Sequence, residues 1–408
     1  MKWLKWIAIC ITVGLLAGTA SAFFLISLDK VTEFRQHHIW IVNFLPMAGL
    51  LIGLGYYYRG KEVEKGNDLL ISAFEQPQQK IPIKMGWLIY FSTLITHLFG
   101  GSAGREGTAV QMGGSIADQF NKVFKFDTEE RGYLLLIGMS AGFASIFGTP
   151  LAGAIFALEI LVVKKTIPKV LAMSVATAYI AHYTCLAWTV QHTHYSIVVP
   201  PRLSLMNMNW ALLAGVFFGI AAFLFVFSKN KFQRLFHTIK WAPLRPFIGG
   251  IFIAFFIVAT RSTQFIGLGI PQIVDAFLHP VGHYDFLIKI LLTACTLGAG
   301  FKGGEVTPLF FIGATLGNIL IGFIPLPMAL LAAMGFVAVF AGASNCIITS
   351  IVLGIEMFGL SAGLYIGLAS VMAYFTSGMT GIYASPMKQT AKHQVYHFLK
   401  KLLSFNIK

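Results

Sequence analysis

The residues best suited to chemistry lie in a glycine-rich stretch, GGSAGREGTAVQMGG, at positions 100–114. Within it, Arg105 and Glu106 precede an apolar segment, which would put Glu106 at the start of a helix in hydrophobic surroundings. A helix N-terminus offers free N–H groups and the positive end of the dipole, which together suit a desolvated anion. We predict that the Glu106 carboxylate occupies such an anion site when ionised and leaves it when protonated.

The composition indicates whether water or lipid surrounds the protein. Hydrophobic residues make up 56% of the chain and charged residues 11%, against roughly 25% charged residues in an average soluble protein. The mean hydropathy is +0.74. Segments long enough to cross a bilayer lie at positions 6–27, 39–58 and 210–227. Shorter apolar segments, several of them broken by glycine, lie at 107–120, 306–323 and 346–359. Broken segments at membrane depth must be buried in protein or line a polar cavity, so we predict a multi-pass membrane protein.

The net charge of +14 does not indicate a nucleic-acid partner. The basic residues are predicted to lie in short loops between the apolar runs, among them Lys122, Lys169 and Lys229. Scattered loop charge of this kind is the positive-inside bias of membrane proteins. It predicts that several of these loops, and both termini, face the cytoplasm.

The chain contains a weak internal duplication. Three blocks of the first half recur in the same order in the second half, at 66–74 and 269–277, 112–118 and 312–318, and 138–160 and 335–357. The alternative is a chance similarity between membrane helices rich in glycine and alanine. Duplicated halves of a transporter usually enclose the substrate site at their interface. The longest block pairs Glu159 with Glu356, which predicts a shared structural role as hydrogen-bond acceptors at membrane depth.

Three other interpretations of the polar residues are weaker. The first is a structural ion pair between Glu106 and Arg105, although adjacent residues rarely face each other on a helix. An intramembrane enzyme would need a nucleophile–base pair or a metal-binding histidine cluster, and positions 285–378 contain no histidine. His192 and His194 form a possible metal pair, but no carboxylate or cysteine is near them in the sequence. We therefore expect neither an enzyme nor a bound metal or cofactor.

The motifs resemble those of the CLC chloride channel and antiporter family. GREG followed by a helix is similar to the GREGP or GKEGP signature of that family, and GMSAGFASIFGTPLAGAIFALE at 138–159 is similar to the family segment that follows it. The resemblance covers essentially the whole chain as far as Tyr383. It implies an all-α polytopic fold of two inverted-topology repeats with many tilted and broken helices, and a homodimer with one anion pathway per subunit. By this resemblance Glu106 is the gating glutamate and Tyr383 the pore tyrosine, although an aromatic residue at the membrane interface is the alternative for Tyr383.

Four positions depart from the chloride-type pattern of the family. The usual GSGIP turn is replaced by GNDL, which puts Asn67 where a serine binds chloride, and the proline after GREG is Thr108. GGEVTP at 303–308 replaces an apolar GxFxP turn and brings in Glu305 and Thr307. The inner glutamate of chloride/proton exchangers has no acidic counterpart, and Thr184 is near its position.

These departures resemble the fluoride-exporting branch of the family, which has Met or Asn at the central position and carries GGEVTP. Fluoride is small and strongly hydrated, so its site needs several close donors and yet must release the ion. Suitable donors are the Asn67 amide, the Tyr383 hydroxyl and backbone N–H groups at Gly107, Thr108 and Val306.

The resemblance also suggests that Glu305 and Thr307 replace the inner glutamate in proton handling. The alternative is that they only cap a helix within a buried turn.

The sequence thus predicts a proton-coupled anion antiporter that exports fluoride, with a chloride/proton antiporter or a passive anion channel of the same fold as the alternative. The predicted partners are fluoride or another halide, protons, the lipid of the inner membrane and a second copy of the chain. The predicted divisions are an N-terminal helix (1–30), a first repeat (31–200), a second repeat (201–378) and the pore-tyrosine segment with a basic cytoplasmic tail (379–408). No CBS domains are expected.

Overall fold

The computed structural model describes residues 2–76, 78–161, 168–193, 195, 197, 200–383, 392 and 394, and this part of the chain is almost entirely helical. His194 and most of the predicted tail lie outside the described residues. The helices of the first half are α1 (Lys2–His37), α2 (Leu45–Gly55), α3 (Asn67–Glu75), α4 (Lys84–Leu98), α5 (Glu106–Phe124), α6 (Thr128–Phe147), α7 (Pro150–Ile160) and α8 (Pro168–Ala187). Short 3₁₀ turns at Ile39–Phe44 and Lys61–Val63 and a π turn at Tyr56–Gly60 flank α2.

The second half repeats this order of long and short helices. Its helices are α9 (Leu205–His237), α10 (Leu244–Thr260), α11 (Ile270–Leu278), α12 (Asp285–Ala299), α13 (Val306–Ile319), α14 (Met328–Ser344), α15 (Ile347–Phe358) and α16 (Leu360–Thr376), with a 3₁₀ turn at Leu320–Gly322.

Length and hydropathy separate two kinds of helix. In the described part of the chain, four helical stretches are long and apolar enough to cross a membrane, at Trp3–His37, Ile39–Glu75, Pro168–Ala187 and Leu205–His237. These contain or overlap the spans predicted at the N-terminus, at 39–58 and at 210–227. The broken segments are the helices α5, α13 and α15. α13 is buried along almost its whole length, and α5 is buried over most of Glu106–Asp118 and exposed in its last turn. The backbone of α5 and α13 can therefore start inside the protein.

Glycine pairs hold the buried helices of each half together. In the first half Gly113 of α5 lies against the backbone of Gly138 in α6, and in the second Gly313 of α13 lies against Gly335 in α14. A side chain at any of these positions would meet the backbone of the neighbouring helix. The four glycines occupy matching positions in the repeated blocks, so the duplication seen in the sequence is also a duplication of packing.

Two glutamates join the halves reciprocally. Glu159 near the end of α7 accepts hydrogen bonds from the N–H groups of Ile348 and Thr349 at the start of α15, at 3.0 and 2.8 Å. Glu356 near the end of α15 accepts from Leu151 and Ala152 at the start of α7, at 2.9 and 2.8 Å. This confirms the predicted acceptor role of both glutamates. An exchange in which each half does the same to the other requires a two-fold relation between the halves.

Candidate functional site

The site is built where two glycine turns, one from each half, meet. Gly104 and Gly304 form an isolated antiparallel bridge with N–H···O distances of 2.6 and 2.7 Å. Each turn leaves its preceding helix through a glycine with positive φ, Gly100 at 90° and Gly300 at 104°, a conformation that costs glycine little. The bridge sets the start of α5 beside the start of α13.

Glu106 is the first residue of α5, but its carboxylate is bound at the start of α13. Its Oε2 accepts a hydrogen bond of 3.1 Å from the Thr307 N–H, and its Oε1 accepts a short hydrogen bond from the Thr307 hydroxyl. The side chain is 1% exposed. A buried carboxylate therefore occupies the anion position at a helix N-terminus, held by two donors from the other half of the chain.

Arg105 is near the same carboxylate without displacing these donors. Its Nε is 3.8 Å from Glu106 Oε1, and its backbone N–H donates to Oε2 at 3.1 Å. The ion pair considered from sequence is thus present at long range. Because the direct hydrogen bonds come from Thr307 and the backbone, Arg105 contributes positive potential rather than the main contact.

Asn67 lies on the other side of the α5 start. It begins α3 after Gly66, whose φ is +58°, and its Nδ2 is 3.0 Å from the point where a Cβ on Gly107 would stand. Its Oδ1 is buried without a hydrogen-bond partner among the described residues. The amide therefore lies close to the backbone at Gly107, at the start of α5.

An open cavity of about 400 Å³ leads to this point. Four of the predicted site residues line it, Asn67, Gly107, Glu305 and Tyr383. Glu305 pairs with Lys229 at 2.6 Å, and the Lys229 ammonium also donates to the Ile382 carbonyl at 3.4 Å. We name this space the basic cavity after Lys229 and the other cations of its wall, Lys61, Lys65, Lys302 and Arg245.

The remaining predicted residues lie outside the cavity wall. Glu106 and Thr307 are buried beyond its inner end and contact each other. The Thr108 hydroxyl turns away and hydrogen-bonds to Thr93 at 2.8 Å, so only its backbone can serve an anion. Val306 is 1% exposed at the start of α13.

Lys122 and Lys169, assigned to loops from the sequence, lie in the last turn of α5 and the first turn of α8. Lys229 was also wrongly assigned to a loop. It lies on α9, which continues to His237, well past its apolar run. The helix can carry a cation there because the side chain reaches the basic cavity and an acidic partner.

Gln111 was also missed. It lies one turn along α5, is 5% exposed and borders the cavity beside Gly66. The one sequence signal for Gln111 was its spacing of four residues from Gly107, which puts both on the same face of α5.

Buried cations lie behind the first turn. Arg35 and Lys289 are 4% and 0% exposed. Lys289 donates to the carbonyls of Phe265 and Gly267, both at 2.9 Å, and Arg35 donates to the carbonyl of His97. These bonds hold the end of α4 and the loop before α11 beside the first turn.

Fold and site together define a polytopic membrane protein whose two related halves enclose a buried carboxylate at a helix start. A family model described as voltage gated chloride channel matches residues 48–378. The chain therefore belongs to the voltage gated chloride channel (CLC) family, which confirms the resemblance predicted from the sequence.

Individual relatives cover most of the chain. A chloride/fluoride channel protein of Pseudomonas syringae pv. tomato is 45% identical over 396 residues, which are 95% of this chain and 88% of the relative. An H(+)/Cl(-) exchange transporter, ClcA, of Vibrio vulnificus is 26% identical over 93% of this chain and 89% of its own length.

Solved structures agree with this fold. The crystal structure of a CLC-type fluoride/proton antiporter matches with a TM-score of 0.90 and 31% identity, over 95% of this chain and 98% of that one. A slow cyanobacterial Cl⁻/H⁺ antiporter has the same fold, with a TM-score of 0.80 at 20% identity.

Proposed function

We propose that this protein is a proton-coupled anion antiporter that exports fluoride in exchange for protons. One observation carries the proposal: the Glu106 carboxylate is held by the N–H and hydroxyl of Thr307 at the start of α13. An anion needs the same donors, so carboxylate and anion compete for them. Protonation weakens the hold on Glu106, because a neutral carboxyl group is a poorer acceptor than a carboxylate.

The anion approaches through the basic cavity. Lys229 and the other cations of its wall attract halide, while Glu305 limits that attraction by pairing with Lys229 at 2.6 Å. The Asn67 amide, the Tyr383 hydroxyl and the N–H groups at the start of α5 then replace the water of the ion. Glu305 and Thr307 handle the proton on its way to or from Glu106.

Fluoride is favoured over chloride by the donors present. Asn67 offers two N–H donors at the position where chloride-type members have one serine hydroxyl, and fluoride gains more than chloride from close, strong donors. The names of the similar proteins, a chloride/fluoride channel protein and a fluoride/proton antiporter, support the same substrate. A chloride/proton antiporter or a passive anion channel is the second candidate, supported by the ClcA relative.

We also propose the setting in which it acts. The distribution of basic residues supports an inner-membrane protein with both termini in the cytoplasm, and in this orientation the basic cavity would face the cytoplasm. Family membership supports a homodimer with one pathway per subunit, and a transporter rather than an enzyme.

Proteoliposomes test the coupling. Purified protein is reconstituted with internal fluoride or chloride, and efflux is followed with ion electrodes while the external pH is recorded. We expect fluoride efflux to be faster than chloride efflux and to drive proton uptake. Glu106→Gln cannot titrate, so proton coupling should be lost, with anion movement either lost or uncoupled. The exposed Glu75→Gln serves as the matched control.

Two results would contradict the proposal. Native rates of proton pumping in Glu106→Gln would remove Glu106 as the proton carrier. Equal coupled efflux of chloride and fluoride in the unaltered protein would favour the second candidate.

A further inference from the structure

A second cavity, of about 380 Å³, shares no wall residue with the basic cavity. It is formed by the end of α6, the start of α7, the end of α8, the loop after it and α15, and we name it the histidine cavity. The polar residues of its wall are Thr149, His182, Gln191, His192, Thr193, Tyr195 and Glu356.

Two imidazole rings form one wall of the histidine cavity. His182 and His192 are stacked, with ring centroids 5.7 Å apart and an interplanar angle of 21°. The His192 ring lies against Gly148, where a Cβ would stand 2.6 Å from it and where φ is +77°. Glycine at this position therefore allows the ring to lie directly on the backbone.

Two donors in this wall have no partner. Thr149 is 3% exposed, precedes the first residue of α7 and makes no side-chain cap there. Its Oγ1 is buried without a hydrogen-bond partner among the described residues, and so is the Nδ1 of His182. A buried polar group without a partner is costly unless something else satisfies it.

The wall offers donors more readily than acceptors. Its carboxylate, Glu356, already accepts from the Leu151 and Ala152 N–H groups through its two oxygens. A hydroxyl and a neutral imidazole can each donate one hydrogen bond, and the Gln191 amide can donate two. A ligand that only accepts, a small anion, satisfies this set.

The histidine cavity lies at the opposite end of the protein from the basic cavity. Gly148 and Asn345 occupy matching positions in the repeated block, and both have left-handed backbone, with φ of 77° and 62°. Asn345 packs against Gly381, beside the Tyr383 segment of the basic cavity. Because the two-fold relation exchanges the ends of the halves, Gly148 belongs to the other end.

A thin aromatic layer separates the histidine cavity from Glu106. Phe147, in the cavity wall, contacts Phe310 with ring centroids 5.3 Å apart, and Phe310 stacks on Phe336 at 3.9 Å. Phe310 is one turn along α13 from Thr307, which holds Glu106. An ion leaving Glu106 therefore has to pass only one layer of rings to reach this wall.

We propose that the histidine cavity is a second anion site, in which Thr149 and His182 bind a halide on the outer side of Glu106. Its place as an exit station rests on the proposed function, whereas the binding itself does not. His192 positions the His182 ring by stacking on it.

Bromide diffraction tests the site directly. Crystals of the full-length protein soaked in bromide should give an anomalous peak within hydrogen-bonding distance of Thr149 Oγ1 and the His182 ring. The peak should be lost in His182→Ala and in Thr149→Val, a nearly isosteric change that keeps the fold even if the histidine variant does not. His279→Ala, an exposed histidine outside the cavity wall, is the matched control and should keep the peak.

Fluoride calorimetry adds a measurement in solution. The outer site should weaken about tenfold in Thr149→Val, as expected for loss of one hydrogen bond to an ion. No bromide peak in the histidine cavity, a peak unchanged in both variants, or density only for an added divalent cation would overturn the proposal. A bromide peak here in a protein that fails to couple fluoride to protons would instead overturn the proposed function alone.

Discussion

Replacing Thr307 with valine should weaken the binding of the Glu106 carboxylate while keeping the backbone donor that an anion can use. The change keeps the shape of the side chain and the Thr307 N–H but removes the hydroxyl that donates to Glu106 Oε1. A hydrogen bond to a charged group contributes about 1.5–3 kcal/mol. Since 1.4 kcal/mol is a factor of ten, the ratio of displaced to bound Glu106 should rise by about 10- to 100-fold.

This shift predicts a particular pattern of transport. An anion would reach the start of α13 without waiting for Glu106 to be protonated, so fluoride efflux should continue with fewer protons exchanged per fluoride. In proteoliposomes, a fluoride electrode measures the fluoride efflux and the external pH measures the protons exchanged. Thr315→Val is the matched control, because Thr315 lies on the same helix. Among the described residues its buried hydroxyl bonds to its own helix alone, at 2.8 Å to Phe311 and 3.3 Å to Ile312.

The same variant can refute the reasoning. If coupling and fluoride affinity in Thr307→Val match those of Thr315→Val, the hydroxyl does not hold Glu106 in the working protein. If fluoride affinity falls and coupling stays intact, the hydroxyl binds fluoride rather than the carboxylate.

Three further predictions follow from the neighbouring contacts. Glu305→Gln leaves Lys229 without its partner, so calorimetry should show tighter fluoride binding and efflux should slow; adding Lys229→Met should reverse the tighter binding. Asn67→Ala should weaken fluoride binding by about 1–3 kcal/mol, the usual cost of a lost buried donor, and unchanged affinity in calorimetry would remove Asn67 from the site. Glu356→Gln sets an NH₂ group against N–H donors and should lower the unfolding free energy by about 1–3 kcal/mol in denaturant titration, whereas the exposed Glu33→Gln should not.

Much of the fold could be predicted because the membrane interior limits which residues a helix can carry, so the local sequence indicates where helices are buried. Broken apolar segments and matching glycines indicated buried helices in pairs, and Gly113–Gly138 and Gly313–Gly335 show why those positions lack side chains. The matching glutamates indicated acceptors for the same reason: a carboxylate in lipid-facing sequence needs donors nearby.

The contacts across the halves could not be derived in the same way. Nothing in the local sequence of Glu106 indicates that its donors come from Thr307, 201 residues away. The partner of Glu305 was hidden for a related reason, because Lys229 looks like loop charge until α9 is seen to continue past its apolar run. The histidine cavity combines a helix end, a loop and a helix of the other half, so no single sequence motif predicts it.

The bridge between the turns indicates which part of the site is able to move. A Cβ on Gly304 would stand 2.9 Å from the Gly107 nitrogen and 3.0 Å from the Glu106 nitrogen, so the two backbones are in contact and paired by two hydrogen bonds. Sliding one turn along the other would break both bonds together. Rotation of the Glu106 side chain breaks only its bonds to Thr307 and Arg105, which the arriving anion can take over. We therefore expect exchange at this site to be a side-chain event on a fixed backbone, in which the strength of the Thr307 contact sets how tightly anion and proton are linked.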